Sequence, residues 1–517
     1  MKKRFNTTGT CNSNLHYMMN NSKKLEAIME LVEYGDYFTI NRPRQFGKTT
    51  TLFLIKKELA KQEDYLPIQL NFQGVDSRWL DSDNLFAQMF LLHFTKDLKK
   101  RYPELLNLVA GVTIASVEDL SNWISEFVEQ VDKKVVLLID EVDASSNYEA
   151  FLSFLGMLRS KFLAREYGEE TFHSVILAGV HDIKNLKFKL RNPDDAQTNS
   201  PWNIAVDFEV RMSFNAEEIA PMLEQYSEAE NVKMDIPTIA KRLYYHTSGY
   251  PFLISKLCKN IVEDVLQKKE SKTAWTLEDV EESVKLFLRE KNTNFDSVIK
   301  NLENHADLYN LSSRIIINGE TVPYNQYNPT IEKGILYGIF KRNGQIRIHN
   351  RIYEQLIYDY MISKRITSEE NVNYGGRFIN DDGSLDLESV LRTFQSFMKE
   401  QRSKKDVQFI EREWRLIFLA FLKPILNGKG HDFKEVETSE EKRLDVVVTY
   451  LQYKYILELK LWRGPKAHGK GLNQLADYLD IHSVKKGYLL IFDTRKKLTW
   501  EAKTIHHQGK EIFAVWL

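Results

Sequence analysis

Residues 37–59 read YFTINRPRQFGKTTTLFLIKKEL. The opening run, Tyr37–Asn41, is apolar and of strand length, and the closing residues carry apolar positions at helical spacing. Between them lies a short loop that ends in Gly47-Lys48-Thr49. Strand, loop and helix in this order form the setting in which N–H groups at a helix start cradle phosphate oxygens, helped by the helix dipole. In that setting the Lys48 amine meets the β and γ phosphates of ATP, and the Thr49 hydroxyl sits on Mg²⁺. Arg42, Arg44, Gly47 and Thr50 complete the expected nucleotide contacts, although Arg42 stands where such loops usually place their first glycine. Gly-Lys-Thr alone would also suit a capped helix after a strand.

A second segment bears on that choice. VVLLIDEVD, from Val135, is five apolar residues ending in Asp140-Glu141. A buried strand delivers its terminal carboxylate to the edge of the sheet where phosphate and metal sit. Asp140 is expected to hold Mg²⁺, directly or through water, and Glu141 to orient or deprotonate the attacking water. Further strands are expected at Leu66–Asn71 and Ser174–Val180, alternating with helical stretches, which predicts a parallel α/β sheet over residues 1–215. At the end of the last strand, His181 and Asp182 could sense the γ phosphate or be plain loop residues. Arg191 and Arg211 are candidates for an arginine finger or for a surface ion pair.

Composition narrows the class. A chain of 517 residues predicts two to four domains, and 43% hydrophobic with 28% charged residues is a globular profile. The net charge of −1 offers no global pull on nucleic acid, so any such contact must come from local basic patches. Two cysteines, Cys11 and Cys258, build neither a disulfide framework nor a zinc knuckle. The basic N-terminus lacks the apolar core of a secretory signal, and no apolar run reaches the ~18 residues of a membrane span. A cytoplasmic setting with no membrane contact is the expectation.

After residue 215 the pattern changes. Residues 216–295 read as a helical lid, with Asn215 capping an acidic first turn and a break at HTSGYPF. Residues 296–365 suit a winged-helix-like region, with a hairpin around Asn343-Gly344 followed by a helix. Residues 366–385 are polar, with three glycines and no apolar periodicity, and read as a linker to a last α/β block at 386–517.

That block contains KRLDVVVTYLQYKYILELKLW. Asp445 opens one strand; Glu458 and Lys460 lie two apart on the next and so share a face, leaving Leu457, Leu459 and Leu461 for the core. Two carboxylates can hold Mg²⁺ or Mn²⁺ against a phosphodiester, and a lysine can position the nucleophile or stabilise charge on the phosphate. Glu413 (or Glu411) on an upstream helix, or Glu437 before the strand, could add a metal-binding carboxylate. Downstream, Gln474 and Tyr478 share a helical face and could contact the phosphate or position Lys460. The basic run KLWRGPKAHGK with Trp462 could be a backbone-contacting patch or a mobile loop. Glu-X-Lys on a strand also occurs as an ordinary ion pair on a solvent face.

The first two thirds of the chain resemble the AAA-ATPase-like family of prokaryotes. The resemblance rests on YFTINRPRQFGKTT, LLIDEVD, LAGVHDIKNLK, NSPWNIA and TSGYPFLISKLC, over roughly residues 10 to 360. That family's loop reads Arg-Pro-Arg-X-Phe-Gly-Lys-Ser/Thr, which accommodates Arg42. The resemblance implies a P-loop core with an additional strand, then a helical lid whose turn Gly249-Tyr250-Pro251 lies near the nucleotide. The last block resembles the PD-(D/E)XK nuclease superfamily in the form Asp-X12-Glu-X-Lys, specifically the small domain often appended to this ATPase family. Arg443, Leu444 and Asp445 match that domain's Gly-Arg-X-Asp stretch, with Lys442 in place of its glycine.

The combined expectation is an α/β multidomain ATPase coupled to metal-dependent cleavage of nucleic acid, DNA before RNA, with defence or mobile-element biology implied by the architecture alone. Glu141, Asp445, Glu458, Lys460 and Gln474 are its catalytic residues, and Thr49, Asp140, Glu413, Asp445 and Glu458 its metal ligands. A homo-oligomer would follow if an arginine acts in trans. The rivals are a signalling ATPase whose last domain only binds nucleic acid or protein, and a nuclease on an idle ATPase scaffold.

Overall fold

Val135 to Asp140 are buried without interruption, and so is Ser174–Gly179. Strands with no polar side belong to a sheet covered on both faces, as parallel sheets are. The structure, a computed structural model, describes residues 2–145, 148–180, 202, 204–270, 272–317, 320–368, 378–402, 407–426, 430–435, 445–462, 464–493 and 500–517. It divides into two units, Met1–Asn294 with Glu332–Ile339, and Phe295–Ile331 with Phe340–Leu517.

In the first unit, β1 (Tyr37–Asn41), β2 (Tyr65–Asn71), β3 (Lys134–Asp140) and β4 (Ser174–Gly179) form a parallel sheet in the order β1-β4-β3-β2. The additional strand β4 thus stands between the strand before the phosphate loop and the strand ending in Asp140-Glu141. Beyond β1 the sheet continues by a single parallel bridge, Phe38 to Val206, where the Val206 amide donates to the Tyr37 carbonyl (2.9 Å). The helices α1 (Ser22–Glu33), α2 (Lys48–Leu59), α3 (Asp83–Arg101), α4 (Val117–Gln130) and α5 (Glu149–Ala164) accompany it. An aromatic cluster of Phe86, Phe90, Phe94, Trp123, Phe151 and Phe154 fills the core on one side.

Four helices follow: α6 (Ala216–Glu230), α7 (Ile236–Thr247), α8 (Pro251–Asn260) and α9 (Leu277–Arg289). Asn215 caps α6 reciprocally, its side chain accepting from the Glu218 amide while Glu218 accepts from its own (both 2.8 Å). Between α7 and α8 the chain turns sharply, with Ser248 and Gly249 both at positive φ (49° and 79°) and Pro251 opening the next helix. Only glycine fits at 249, because a Cβ there would lie 2.7 Å from the Phe214 nitrogen and closer still to its oxygen. Gly338, also at positive φ (72°), seats Glu332–Ile339 on the phosphate loop, where a Cβ would lie 2.7 Å from Pro43 Cγ.

The chain continues through α10 (Thr293–Asn304), α11 (Ala306–Ile316), β5 (Val322–Pro323), α12 (Pro329–Leu336), β6 (Phe340–Asn343), β7 (Gln345–Ile348) and α13 (Arg351–Ser368). Strands β5, β7 and β6 make a small antiparallel sheet in that order. Of the expected linker 366–385, residues up to Ser368 finish α13, and 369–377 lie outside the described residues. Phe378 to Leu385 fold as a turn, because buried Phe378 and Leu385 anchor it and the Leu385 amide donates to Tyr455 Oη (2.7 Å).

The last block comprises α14 (Leu387–Arg402), α15 (Val407–Leu426), β8 (Gly430–Glu435), β9 (Asp445–Tyr450), β10 (Tyr453–Leu461), α16 (Pro465–Ile481), β11 (Lys486–Phe492), β12 (Ala502–His507) and β13 (Lys510–Trp516). Its six-stranded sheet has the order β12-β13-β11-β10-β9-β8, parallel at β10/β11 and β11/β13 and antiparallel elsewhere. Leu475 and Leu479 of α16 pack with Ile456, Leu489 and Ile491 on one face. On the other face, Trp414 of α15 stacks on Phe492 with ring centroids 5.2 Å apart. The face of β10 that carries Glu458 is covered by α16 as well, leaving Glu458 only 2% exposed.

Candidate functional site

The loop between β1 and α2 winds through two left-handed residues, Gln45 (φ 58°) and Gly47 (φ 85°), which turns its chain around the start of α2. Lys48 points back along the loop, where its amine donates to the carbonyls of Arg42 (2.9 Å) and Pro43 (3.1 Å). Burial lowers its pKa from the usual lysine value, against the opposing charges of Glu141, Asp143 and Asp140. Thr51 fastens the first turn by donating to the Gly47 carbonyl (3.0 Å).

Asp140 ends β3 beside this helix start. Its Oδ1 accepts from the Glu141 amide (3.0 Å), and Oδ2 is buried without a hydrogen-bond partner among the described residues. Glu141 is held at φ 56°, a left-handed backbone costing of order 1 kcal/mol for a side chain of this kind. Burial raises the pKa of both carboxylates above the ordinary range; the Thr49 hydroxyl opposes this for Asp140, and the Lys48 charge opposes it for Glu141. Asp143, just beyond, accepts from the Val180 amide (2.6 Å) and ties β4 to this corner.

These groups line one cavity of about 760 Å³, which holds Arg44, Gly47, Lys48, Thr49, Thr50, Asp140 and Glu141 together. Arg42 is placed elsewhere. Its guanidinium donates to the carbonyls of Asn41 (2.7 Å) and Val210 (2.9 Å) and lies 5.2 Å from the Phe208 ring, so it braces the loop from behind. The Tyr250 hydroxyl donates to the Arg44 carbonyl, and its ring meets Phe46 edge-on with centroids 4.6 Å apart. The turn Gly249-Tyr250-Pro251 is thus part of the loop's own wall. Arg211 bonds to Ser213 (3.0 Å) and Tyr244 (3.3 Å). His181, Asp182 and Arg191 lie outside the described residues.

The sequence reading missed one wall of the cavity altogether. Asn6 to Cys11 run across it, and the Cys11 amide donates to Thr50 Oγ1 (3.0 Å). Lys24, also on the wall, pairs with Glu218 (2.8 Å) and stands 3.9 Å from the Phe214 ring centre. The one available signal was the small polar run Thr7-Thr8-Gly9-Thr10, which has no periodicity to distinguish it from a loose terminus.

In the last block, the strand register sets Asp445 directly opposite Glu458. Lys460 pairs with Glu458 (2.8 Å) and reaches Gln474 Oε1 (3.4 Å). Lys460 packs over Gly471 of α16, where any Cβ would collide with its amine. Tyr478 is buried in the core cluster with Ile456 and Leu475, its hydroxyl without a hydrogen-bond partner among the described residues. Trp462 lies 5.4 Å from the His468 ring. The side chains of Asp445, Glu411 and Glu413, and residues 436–444 with Glu437, Lys442, Arg443 and Leu444, lie outside what the structure describes.

Residues 7–357 match the family described as "AAA-like domain". The chain belongs to that family. The match ends before the six-stranded sheet, and no curated protein matches the chain. Among solved structures, this AAA-like chain is similar to a Walker-type ATPase of Pyrococcus abyssi (10% identity, TM-score 0.44, covering 68% of this chain and 99% of that one). It is also similar to the Aeropyrum pernix ORC2 protein in its ADPNP–ADP complexes (13%, TM-score 0.38, 68% and 97%) and to the Aeropyrum pernix ORC1 protein in complex with DNA (13%, TM-score 0.31, 68% and 94%). The first unit is a parallel-sheet P-loop ATPase fold. No helix among the described residues is long and apolar enough to cross a membrane.

Proposed function

We propose that the first unit binds and hydrolyses ATP and thereby controls phosphodiester cleavage, of DNA before RNA, by the last block. The observation that carries this reading is the gathering of Lys48, Thr49, Asp140 and Glu141 in one cavity at the ends of β1 and β3. Lys48 would leave the two loop carbonyls for the phosphate oxygens, a stronger charge-assisted contact. Glu141 would take the proton of the water attacking the γ-phosphorus, while the bond to the β,γ-bridging oxygen breaks and ADP leaves. Mg²⁺ fits here, because Thr49 and the buried Asp140 carboxylate form a hard oxygen donor set, and it would neutralise charge developing on the phosphates.

For the last block the support is the register of Asp445 against Glu458, with Lys460 two residues on, in a mixed sheet flanked by helices. This is the order of groups in the PD-(D/E)XK nucleases that the block resembles. Asp445 and Glu458, with Glu413, would hold Mg²⁺ or Mn²⁺, which supplies an activated water; Lys460 and Gln474 would orient the phosphate. On this reading, residues 1–215 are the ATPase core, 216–295 its lid, 296–365 a winged-helix-like region and 386–517 the nuclease domain. One observation favours a second reading, in which the block binds and does not cut: Glu458 is almost wholly buried and already neutralised by Lys460.

The test is cleavage of plasmid and single-stranded DNA with Mg²⁺ or Mn²⁺, with and without ATP, by the full chain and by Lys48→Ala and Lys460→Ala. Cleavage that disappears in Lys460→Ala and responds to ATP in the wild type but not in Lys48→Ala supports the proposal. Intact ATP hydrolysis with no cleavage under any condition favours the binding reading.

A further inference from the structure

Past Lys460 the alternation of β10 carries on to Trp462, whose amide donates to the Phe492 carbonyl (2.8 Å) and so extends the ladder by one residue. Glu458, Lys460 and Trp462 therefore share one face, the face on which Trp462 and Trp516 pack with Leu472 and Leu475 of α16. His468, near the start of α16, meets both indoles. Its ring centre lies 5.4 Å from that of Trp462 and 5.7 Å from that of Trp516, tilted by 45° and 50°. Trp516 is buried, whereas His468 and Trp462 are partly exposed, so this row of rings runs from the core to the surface.

Burial first, then the charges of Lys460 and Lys503, hold the His468 pKa below its usual value, so the ring is largely neutral at pH 7. Beside Lys460 there is thus an uncharged aromatic surface bordered by two cations. The second, Lys503, stands 4.9 Å from the Trp516 ring centre. Its partner Glu501 (2.9 Å) is as exposed as it is, and a surface pair of this kind holds its lysine weakly. Ring faces for bases beside cations for phosphates are the combination by which proteins take single strands. In a duplex the bases stack on one another and offer no face. Side chains two apart on a strand stand about 7 Å from each other, so a strand with one phosphate at Lys460 brings its neighbouring base to Trp462.

We infer that Trp462, backed by His468, is a stacking platform for an unpaired base of a DNA strand whose phosphate lies at Lys460, so that the last block takes single-stranded DNA in preference to duplex. The inference rests on the nucleic-acid reading of this block for its partner, and not on cleavage, since stacking needs neither metal nor chemistry.

The experiment is anisotropy of labelled oligonucleotides titrated with the full chain at low salt, in EDTA so that nothing is cut. The probes are a thymidine strand, an abasic strand with the same phosphates, a duplex of equal length and the matching RNA strand. The wild type should bind the thymidine strand more tightly than the duplex, and the abasic strand about tenfold more weakly than the thymidine strand. Trp462→Leu, which keeps an apolar side chain but no ring, should lose about the same factor on the thymidine strand and little on the abasic one. Trp462→Phe should recover most of it, and thermal melts confirm that the variants fold. Equal binding of the abasic and thymidine strands by the wild type overturns the inference whether or not the leucine variant folds. So does preference for the duplex or the RNA strand, no DNA binding at all, or a leucine variant that binds like the wild type. Ring-dependent binding with no cutting once Mg²⁺ or Mn²⁺ is added leaves it standing and sinks the nuclease reading instead.

Discussion

Both regions of this protein carry a lysine beside carboxylates near the end of a buried strand, yet they manage the charges in opposite ways. In the P-loop unit the Lys48 amine rests on two neutral carbonyls, and burial raises the pKa values of its acids, the buried Asp140 and the partly buried Glu141. In the six-stranded sheet Lys460 lies directly on Glu458. The first arrangement keeps opposite charges apart at an energetic cost that a bound nucleotide can relieve. The second sets them against each other as an ion pair, so a metal or phosphate must displace an existing pair. The same residue types can therefore make a site that waits for a ligand or one that is closed without it.

The largest effect that would break this contrast is on ATP turnover. Lys48→Ala should lower phosphate release by about a hundredfold or more, since it removes the cation meeting the transferred group. Unchanged turnover would show that the cavity is not the reaction centre.

Next in size is a stability difference with opposite signs in the two regions. Lys460→Ala strands a buried carboxylate and should cost about 2 kcal/mol, partly recovered in Lys460→Ala/Glu458→Gln. Asp140→Asn should instead raise the melting temperature of the nucleotide-free protein at neutral pH while abolishing hydrolysis. The sign follows from the raised pKa: the protonated form favours the fold, and that contribution is lost as pH rises through the folded-state value, leaving a cost at pH 7 that the neutral amide avoids. Thermal melts of the three variants, with and without Mg²⁺-ATP, decide the matter.

A smaller effect sharpens the role of Glu141. With its pKa raised, the acid limb of kcat/KM for ATP should lie above the ordinary carboxylate value of about 4.3, because the base must be ionised to act. Asp143→Asn removes one of the charges that raise it and should move that limb to lower pH. A limb that stays fixed would argue against Glu141 as the base. Smallest of all, Tyr250→Phe deletes one hydrogen bond to the Arg44 carbonyl, and about 1 kcal/mol of stability should go with it, read by denaturant unfolding.

The parts of the fold that were legible are those written in local patterns. Apolar runs marked β1, β3 and β4, the Asn215 cap marked α6, and Gly-Lys-Thr with Asp140-Glu141 marked the cavity. What escaped depends on contacts between distant segments. Nothing in Arg42's neighbourhood says that Phe208 and Val210 will take its guanidinium, and nothing in Thr7–Thr10 says that Thr50 will hold that strand of chain across the cavity. The alternation of Glu458 and Lys460 with leucines was read correctly as two faces. Whether the polar face stays open, however, was decided by Leu475 and Leu479 on a helix that comes later in the chain.

Gly338 has a consequence for anyone dividing the molecule. The eight residues Glu332–Ile339 belong with the P-loop unit, although the chain on both sides of them belongs to the other. No single cut yields either unit whole. A fragment stopped after Asn294 lacks the segment that leans on Pro43, and one begun at Phe295 carries that segment with nothing to lean on. The two halves are stitched by their own thread, so shuffling or truncating either of them would have to move two separate stretches of chain together.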